Sequence, residues 1–333
     1  MNNQLKKIIF RWESVLVLLL VIEVIVFGII NPKFLQASVL LGSINDFIPI
    51  CVIALFVTFV MITGGIDIQA GSIVGLTSIF IGLLWKDLGV NIWVAAALSL
   101  VVGGLCGALS GFFVGFVGVQ PMVITLGGQF LFSGLAIVIT KLSATESYKG
   151  ISGFPQSFTD FSKGHMAGIP NQVVVFGVLI ILSYLLLHRT KYGRSIFLCG
   201  VNRNAAEYSG IKTSLIIMST YVLTGISASV AGVLMTGYLG TAKADFGKEL
   251  TLPIITAVVL GGTSNTGGKG GVVGTALATI AVGTMRFGLS MSGMNTQYLD
   301  MPVGILLVLA VAVRTIKDNP KILQYFSVRK RSN

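Results

Sequence analysis

Apolar residues come in long runs broken by short polar or glycine-rich stretches, over 15–30, 47–63, 71–84, 92–117, 122–139, 173–187, 215–239, 250–262, 271–289 and 301–313. A helix needs about 20 mainly apolar residues to cross a bilayer. The pattern therefore predicts an all-α integral membrane protein with about ten transmembrane helices. The runs 71–84, 250–262 and 301–313 are short, because 14 residues of helix span only ~21 Å of a ~30 Å hydrocarbon core. Pieces of that length are tolerated where neighbouring protein or a water-filled path satisfies their free backbone groups. They predict broken or re-entrant helices inside the bundle. Asn45 and Asp46 stand just before the second run, as its predicted cap. The first run follows basic residues, as a signal peptide would, but no small-x-small site follows Ile30 and Glu23 interrupts the apolar stretch. A retained first helix is the expectation.

Composition narrows the class. Of the 333 residues, 54% are hydrophobic and 11% charged, and the mean hydropathy is +0.89. Soluble domains carry about a quarter charged residues, so a soluble enzyme is excluded, and a disordered chain needs low hydrophobicity and high charge. Three cysteines supply no disulfide scaffold. Cys51 and Cys106 fall inside runs and Cys199 on the predicted reducing face, so no disulfide is expected. The net charge is +11, and 14 of the 23 basic residues lie in three segments. These are Lys6, Lys7 and Arg11; Arg189, Lys191, Arg194, Arg203 and Lys212; and Arg314, Lys317, Lys321, Arg329, Lys330 and Arg331. Clusters beside apolar runs follow the positive-inside rule rather than a nucleic-acid footprint. Six crossings then four separate the clusters, which puts all three, and both termini, on the cytoplasmic side. Residues 1–333 read as a single transmembrane domain holding a polar cytoplasmic segment, 188–214.

Two glycine-rich breaks interrupt the apolar pattern. The first runs from Gly64 and Gly65 through Asp67 to Gly71 and Ser72, and the second from Gly261, Gly262 and Thr263 to Gly271. Transporters built from repeats often place interrupted helices at corresponding positions, which makes Gly64, Gly65, Asp67, Gly71, Ser72, Gly261, Gly262 and Thr263 candidate pathway or gate residues. The breaks lie six spans apart, implying a parallel relation, which inverts if one of the short runs is not a span. Asp67 has two readings: a gate or pathway carboxylate, or a cap on the helix that follows. Glu23 is similarly open between packing and transport chemistry. The second break is no phosphate-binding loop, because Gly270 follows Gly268-Lys269 where Ser or Thr is needed and Thr263 stands where the first glycine belongs. ATP hydrolysis by this chain is therefore not expected.

Catalytic residues are not expected either. His165 falls in an outer connection and His188 at a basic helix end, and no metal-ligand spacing occurs. The connection 141–171 is rich in Ser, Gly and Pro yet carries Tyr148, Phe154, Phe158 and Phe161, which predicts packing over the outer mouth or interfacial anchoring. Between spans six and seven, Asn202 is placed to cap a short helix through Tyr208 or Ser209, with Gly210 ending it. Two turns are not stable alone. This helix needs a docking surface, either lipid headgroups or a soluble partner.

That segment carries a family resemblance. Gly193-Arg194, then Gly200 and Asn202, Ala205-Ala206 and Ser209-Gly210-Ile211 resemble the cytoplasmic coupling segment of bacterial ABC sugar permeases of the ribose type. Gly64-Gly65-Ile66-Asp67-Ile68 followed by Gly71-Ser72, Val123-Ile124-Thr125-Leu126-Gly127 after Pro121, and Ala257-Val258-Val259-Leu260-Gly261-Gly262 are similar to further family hallmarks. A closer similarity is to permeases importing autoinducer-2, and to their D-type subunit. It rests on Tyr148-Lys149-Gly150-Ile151-Ser152-Gly153-Phe154-Pro155, Phe158-Thr159-Asp160-Phe161 and Leu187-His188-Arg189-Thr190. Thr251-Leu252-Pro253 replaces the Glu-Leu-Asp of the general sugar permeases, which weakens a ribose-specific reading.

The resemblance implies a permease in the bacterial inner membrane that pairs with a second permease subunit of the related C type. Two cytoplasmic ATPase subunits would use ATP and Mg, and a periplasmic binding protein would deliver the ligand. This chain itself would bind no cofactor or metal. Gly193, Arg194, Gly200, Asn202, Ala205, Ala206, Glu207, Ser209 and Gly210 are the implied ATPase-coupling residues. Import of ribose or another pentose is an alternative cargo. An ion-coupled secondary transporter would need mid-span carboxylates, of which Glu23 alone clearly qualifies, and a non-transporting scaffold would have no use for a coupling segment.

Overall fold

Each of the ten apolar runs forms a helix in the computed structural model, which describes residues 12–143 and 150–318. Lys6, Lys7, Arg11, Lys321, Arg329, Lys330 and Arg331 of the basic clusters, and Tyr148 and Lys149 of the loop, lie outside the described residues, as do the side chains of Arg314 and Lys317. In chain order the helices are α1 (Trp12–Ile30), α2 (Ala37–Ile62), α3 (Ala70–Lys86), α4 (Ile92–Phe112, continued by a π-helical turn at Phe113–Val117), α5 (Pro121–Thr140), α6 (Gln156–Lys163), α7 (Asn171–Arg189), α8 (Lys191–Val201), α9 (Arg203–Tyr208), α10 (Thr213–Leu239), α11 (Thr251–Leu260), α12 (Val272–Met291) and α13 (Asp300–Asp318). Seven of them, α1, α2, α4, α5, α7, α10 and α12, are long and apolar enough to cross a membrane among the described residues.

The last helix has 19 residues, but its apolar part, Asp300–Ala312, is as short as expected. Two expectations need correction. Asn45 and Asp46 are not caps, because α2 begins at Ala37 and carries both in its interior. The polar residues of its first turns hide that start from a hydropathy reading, since helix formation does not require apolarity. The polar segment 188–214 holds two helices, not one, with α8 preceding the anticipated short helix.

The centre of the bundle is α2, buried on every side from Phe47 to Ile62. Around it pack α7, α10, α11 and α12, with α1 against α12 at the periphery. There Leu18, Ile25 and Ile29 of α1 face outward, as expected for a lipid-covered surface. The closest helix pair is α4 with α10. Gly103, Gly107, Gly111 and Gly115 recur at every fourth residue of α4, lying one above another on one face. A methyl group on Gly107 would strike the backbone of Tyr221, and one on Gly115 that of Ser214. Small residues let membrane helices meet backbone to backbone, where dispersion rather than the hydrophobic effect holds them.

At one end of the bundle, strands β1 (Ile151–Ser152) and β4 (Thr241–Ala242) pair antiparallel, while β2 (His165–Met166) and β3 (Ile169–Pro170) form a second small ladder. Phe158 of α6 is fully buried and meets Trp93 edge-on at 5.9 Å and Phe154 at 5.6 Å. These rings fix the connection over this end, while Phe161 rests edge-on against Trp93 at 5.5 Å.

From β4 the chain does not continue as helix. Residues 243–250 descend beside α3, with Ala242 against Gly82, Ala244 and Phe246 against Gly75, and Gly247 against Gly71. Gly71 to Gly82 is ~16 Å of helix. The eighth span is therefore an irregular half followed by the ten-residue α11, which is only ~15 Å long. The re-entrant character expected of this run is thus a non-helical descent completed by a short helix.

Candidate functional site

The opposite end gathers both glycine-rich breaks and the polar segment. At the first break α2 ends with Gly64 at φ +84, its N–H donating to Met61 O at 3.0 Å and that of Gly65 to Val60 O at 3.0 Å. At the second, α11 ends with Gly262 at φ +95, its N–H donating to Val259 O at 3.0 Å and that of Thr263 to Val258 O at 3.2 Å. Both are Schellman closures, which need a left-handed residue just past the helix and so favour glycine there. The two breaks open at the same end and meet, because Gly268 N donates to Ile62 O at 2.8 Å.

Gly200 of α8 lies in that junction. A methyl group on it would overlap the Ile62 carbonyl and come 2.6 Å from Gly268 N, and one on Gly267 would come 2.9 Å from Gly200 O and 3.0 Å from Gly64 N. Backbone from α2, α8 and the second break thus touches at one point. No local pattern in the sequence marks this meeting.

Asp67 sits behind the junction and is 1% exposed. Its Oδ1 accepts from Gln69 N at 3.0 Å, a turn that leads into α3 from just before its N-cap residue, Gln69, which makes no side-chain cap bond. The irregular backbone around it finds partners on other helices: Thr125 of α5 donates to Ile66 O at 3.1 Å and Thr251 of α11 to Ile68 O at 3.3 Å. Buried backbone polar groups need such partners where water is absent. Gln69, also buried, accepts from Ser110 Oγ at 2.6 Å. Thr125, Thr251, Gln69 and Ser110 were not singled out as site residues. The signal available was the threonine within Val123-Ile124-Thr125-Leu126-Gly127.

The other candidates divide. Gly71 packs on Gly247 and Ser72 Oγ donates to Gln69 O at 2.7 Å, so both belong to the start of α3. Gly261 crosses α12 against Gly274 and Thr275, Gly262 faces the Trp12 ring, and Thr263 is buried beside Gly270. Trp12 Nε1 donates to Leu260 O at 2.6 Å, closing the end of α11 from α1. His188 Nε2 accepts from Val272 N at 3.5 Å, at the start of α12. Glu23 is buried in α1, and His165 is exposed in β2. No group of three His, Cys, Asp or Glu side chains suited to a metal occurs among the described residues.

In the polar segment, Thr190 starts α8 by accepting from Gly193 N at 3.1 Å, and Asn202 starts α9 by accepting from Ala205 N at 3.0 Å. Helix α9 ends as the breaks do, with Gly210 N donating to Glu207 O at 2.9 Å and Ile211 N to Ala206 O at 3.1 Å. Gly193 is buried against the Leu187 carbonyl, whereas Arg194 is exposed. Ala206 is 4% exposed and faces the bundle, so of the two alanines only Ala205 is open to a partner. Asn202, Glu207, Ser209 and Gly210 are exposed with it. Tyr208 is 93% exposed, a large ring left in water on a two-turn helix and absent from the sequence candidates. Two side chains hold α8 and α9 to the bundle. The Arg203 guanidinium donates to Gly115 O, and Tyr192 Oη meets Ser219 Oγ at 2.7 Å. Burial pushes the Cys199 thiol up despite the lowering effect of nearby Arg203.

Residues 39–311 match the family described as the permease component of branched-chain amino acid transport systems. The chain belongs to this permease family. The permease is 42% identical over 97% of both chains to the autoinducer 2 import system permease protein LsrD of Yersinia enterocolitica. It is 41% and 40% identical, at the same coverage, to the proteins of that name from Yersinia pseudotuberculosis and Yersinia pestis. No solved structure matches. The ribose-type resemblance carried by residues 64–72, 121–127, 193–211 and 257–262, and the autoinducer-2 resemblance carried by 148–155, 158–161 and 187–190, thus lie within this family. It is a multi-pass membrane permease component.

Proposed function

We propose that the permease is a membrane-spanning subunit of an ATP-driven importer that carries autoinducer-2 across the bacterial inner membrane. The supporting observation is the 40–42% identity, over 97% of the chain, to permease proteins of autoinducer-2 import systems. A second permease subunit of the C type completes the pathway, two cytoplasmic ATPase subunits bind ATP and Mg, and a periplasmic protein delivers ligand. Both termini, the segment 188–214 and the two breaks then face the cytoplasm. In this reading 1–333 is one transmembrane domain.

Helix α9 docks on an ATPase subunit through Ala205, Glu207, Tyr208 and Ser209, with Arg194 beside it. Gly193, Asn202, Ala206 and Gly210 shape the helix rather than touch the partner. ATPase closure moves α8 and α9, and Gly200 passes that motion to the ends of α2 and α11, so that Gly64, Gly65, Asp67, Gly71, Ser72, Gly261, Gly262 and Thr263 act as the hinge of the gate. Closure shifts the equilibrium only by as much as the docked state differs in free energy between the two arrangements.

The test is uptake of labelled autoinducer-2 and of ribose into cells lacking this permease, rescued with the wild type or with Ala205→Arg. Wild type is expected to restore autoinducer-2 uptake alone, and the variant to lose it roughly tenfold or more at equal membrane abundance. Rescue of ribose uptake alone would overturn the cargo. Normal uptake by the variant would overturn the docking role, and uptake without the ATPase subunits would point to an ion-coupled carrier.

A further inference from the structure

The descending segment 243–250 runs alongside α3, with Lys243 and Asp245 between the levels of Gly82 and Gly75 and Lys248 beside Gly71 at its start, rather than beyond its far end. Asp245 and Lys248 are exposed and Lys243 half-buried, and none of the three side chains makes an ion pair or hydrogen bond among the described residues. Lipid cannot cover such a surface. Irregular backbone and free charges at membrane depth require water or protein over them, and ionisable groups there mark pathways. Across from them, Ser133 of α5 adds a hydroxyl, and with Ile137 and the buried Thr140, whose own hydroxyl donates to Ala136 O at 2.7 Å, these residues line an open cavity of about 180 Å³. That volume lies below the 300–1,000 Å³ of drug-sized ligand sites and suits a ligand of on the order of ten non-hydrogen atoms. Thr140 ends α5 and Ser133 lies two turns deeper, so the cavity begins at the end of the bundle closed by β1, β4 and α6, opposite the junction.

We propose that this cavity is the substrate station of the permease, built for a small, uncharged, polyhydroxylated molecule. Asp245 accepts from two neighbouring hydroxyls, Lys243 and Lys248 donate to carbonyl or ring oxygens, and Ser133 completes the ring of partners. Over the whole loop 243–250 Lys243 and Lys248 are matched by Asp245 and Glu249, and a loop of zero net charge favours neutral cargo over an ion. Exposed groups in an open cavity give weak binding, as conduction demands, since a site must release what it captures. This inference rests on the importer reading and supplies the ligand contacts for it.

The experiment uses the complete transporter in cells and in proteoliposomes, with labelled autoinducer-2 as the probe. Asp245→Asn and Lys248→Gln are each expected to raise KM for uptake about tenfold. An unchanged KM in both variants, or a fall in maximal rate alone, would overturn the station. A second measurement covers a variant that fails to reach the membrane. In Asp245→Cys the new thiol is expected to react with a membrane-impermeant reagent from the outside, to block uptake when modified, and to be protected by excess ligand. The native background is low, because Cys51, Cys106 and Cys199 are buried. A thiol that is unreachable, or that is modified without loss of uptake, also overturns it. If wild type itself fails to take up autoinducer-2 in the same assay, the importer reading falls on its own. If wild type succeeds and both variants behave like it, the station alone falls.

Discussion

Gly200→Ala is the sharpest perturbation of the junction. The added methyl group overlaps the carbonyl of Ile62 and presses on Gly268 N. Both are backbone atoms, so no side chain can swing aside and one of the three segments must retreat. Forcing one extra carbon into a packed interior costs about 1–3 kcal/mol. Retreat also stretches the 2.8 Å bond from Gly268 N to Ile62 O, and losing such a bond costs about 1 kcal/mol. The expected destabilisation is ~2–4 kcal/mol, read as a drop of several degrees in the melting temperature of the purified complex. Uptake is expected to fall further than abundance, because the strained contact is the one that links α8 to both breaks. Gly177→Ala is the control: nothing lies within 4 Å of that site in α7, so it should be neutral or gain up to about 1 kcal/mol of helix stability. A Gly200→Ala protein that melts and transports like wild type would refute the idea that the three backbones meet under close packing.

Two further substitutions probe the local supports. Asn202→Ala removes the acceptor for Ala205 N and should cost about 1 kcal/mol of α9 stability, seen as weaker copurification of the ATPase subunits, whereas Asn202→Asp keeps the cap and should preserve it. Thr125→Val leaves Ile66 O without its hydroxyl donor and is expected to lower stability by about 1–3 kcal/mol, measured by thermal melting, with Thr125→Ser close to wild type.

Much of this bundle is legible in the sequence because lipid imposes a simple rule: apolar runs are spans. The ten runs coincide with helices for that reason, and Asn202 and Gly210 mark α9 because capping chemistry is local. What is not legible there depends on residues distant along the chain. Gly200, Gly64 and Gly268 each look like ordinary glycine until the fold brings their backbones together. The polar start of α2 at Ala37 escaped because hydropathy tracks burial and not helix formation. The stripe of Gly103, Gly107, Gly111 and Gly115 is visible as a four-residue period, yet only the structure identifies α10 as its partner. The segment 243–250 was opaque for the opposite reason, since charged residues in a connection read as solvent-exposed whatever their depth.

The α4–α10 seam has a mechanical consequence. With backbones in contact along four glycines and Arg203 bonded to Gly115 O, α9, α10 and α4 form one stiff body. Its longest member, α10, has 27 residues, or ~40 Å, so a tilt of about 5° about one end carries the other through ~3.5 Å. One tip of that rod is joined to α9 and the other to β4, from which the charged descent begins. The protein therefore holds a lever whose throw is set by helix length, and a tilt too small to disturb the packed middle still carries its tips through a few ångströms.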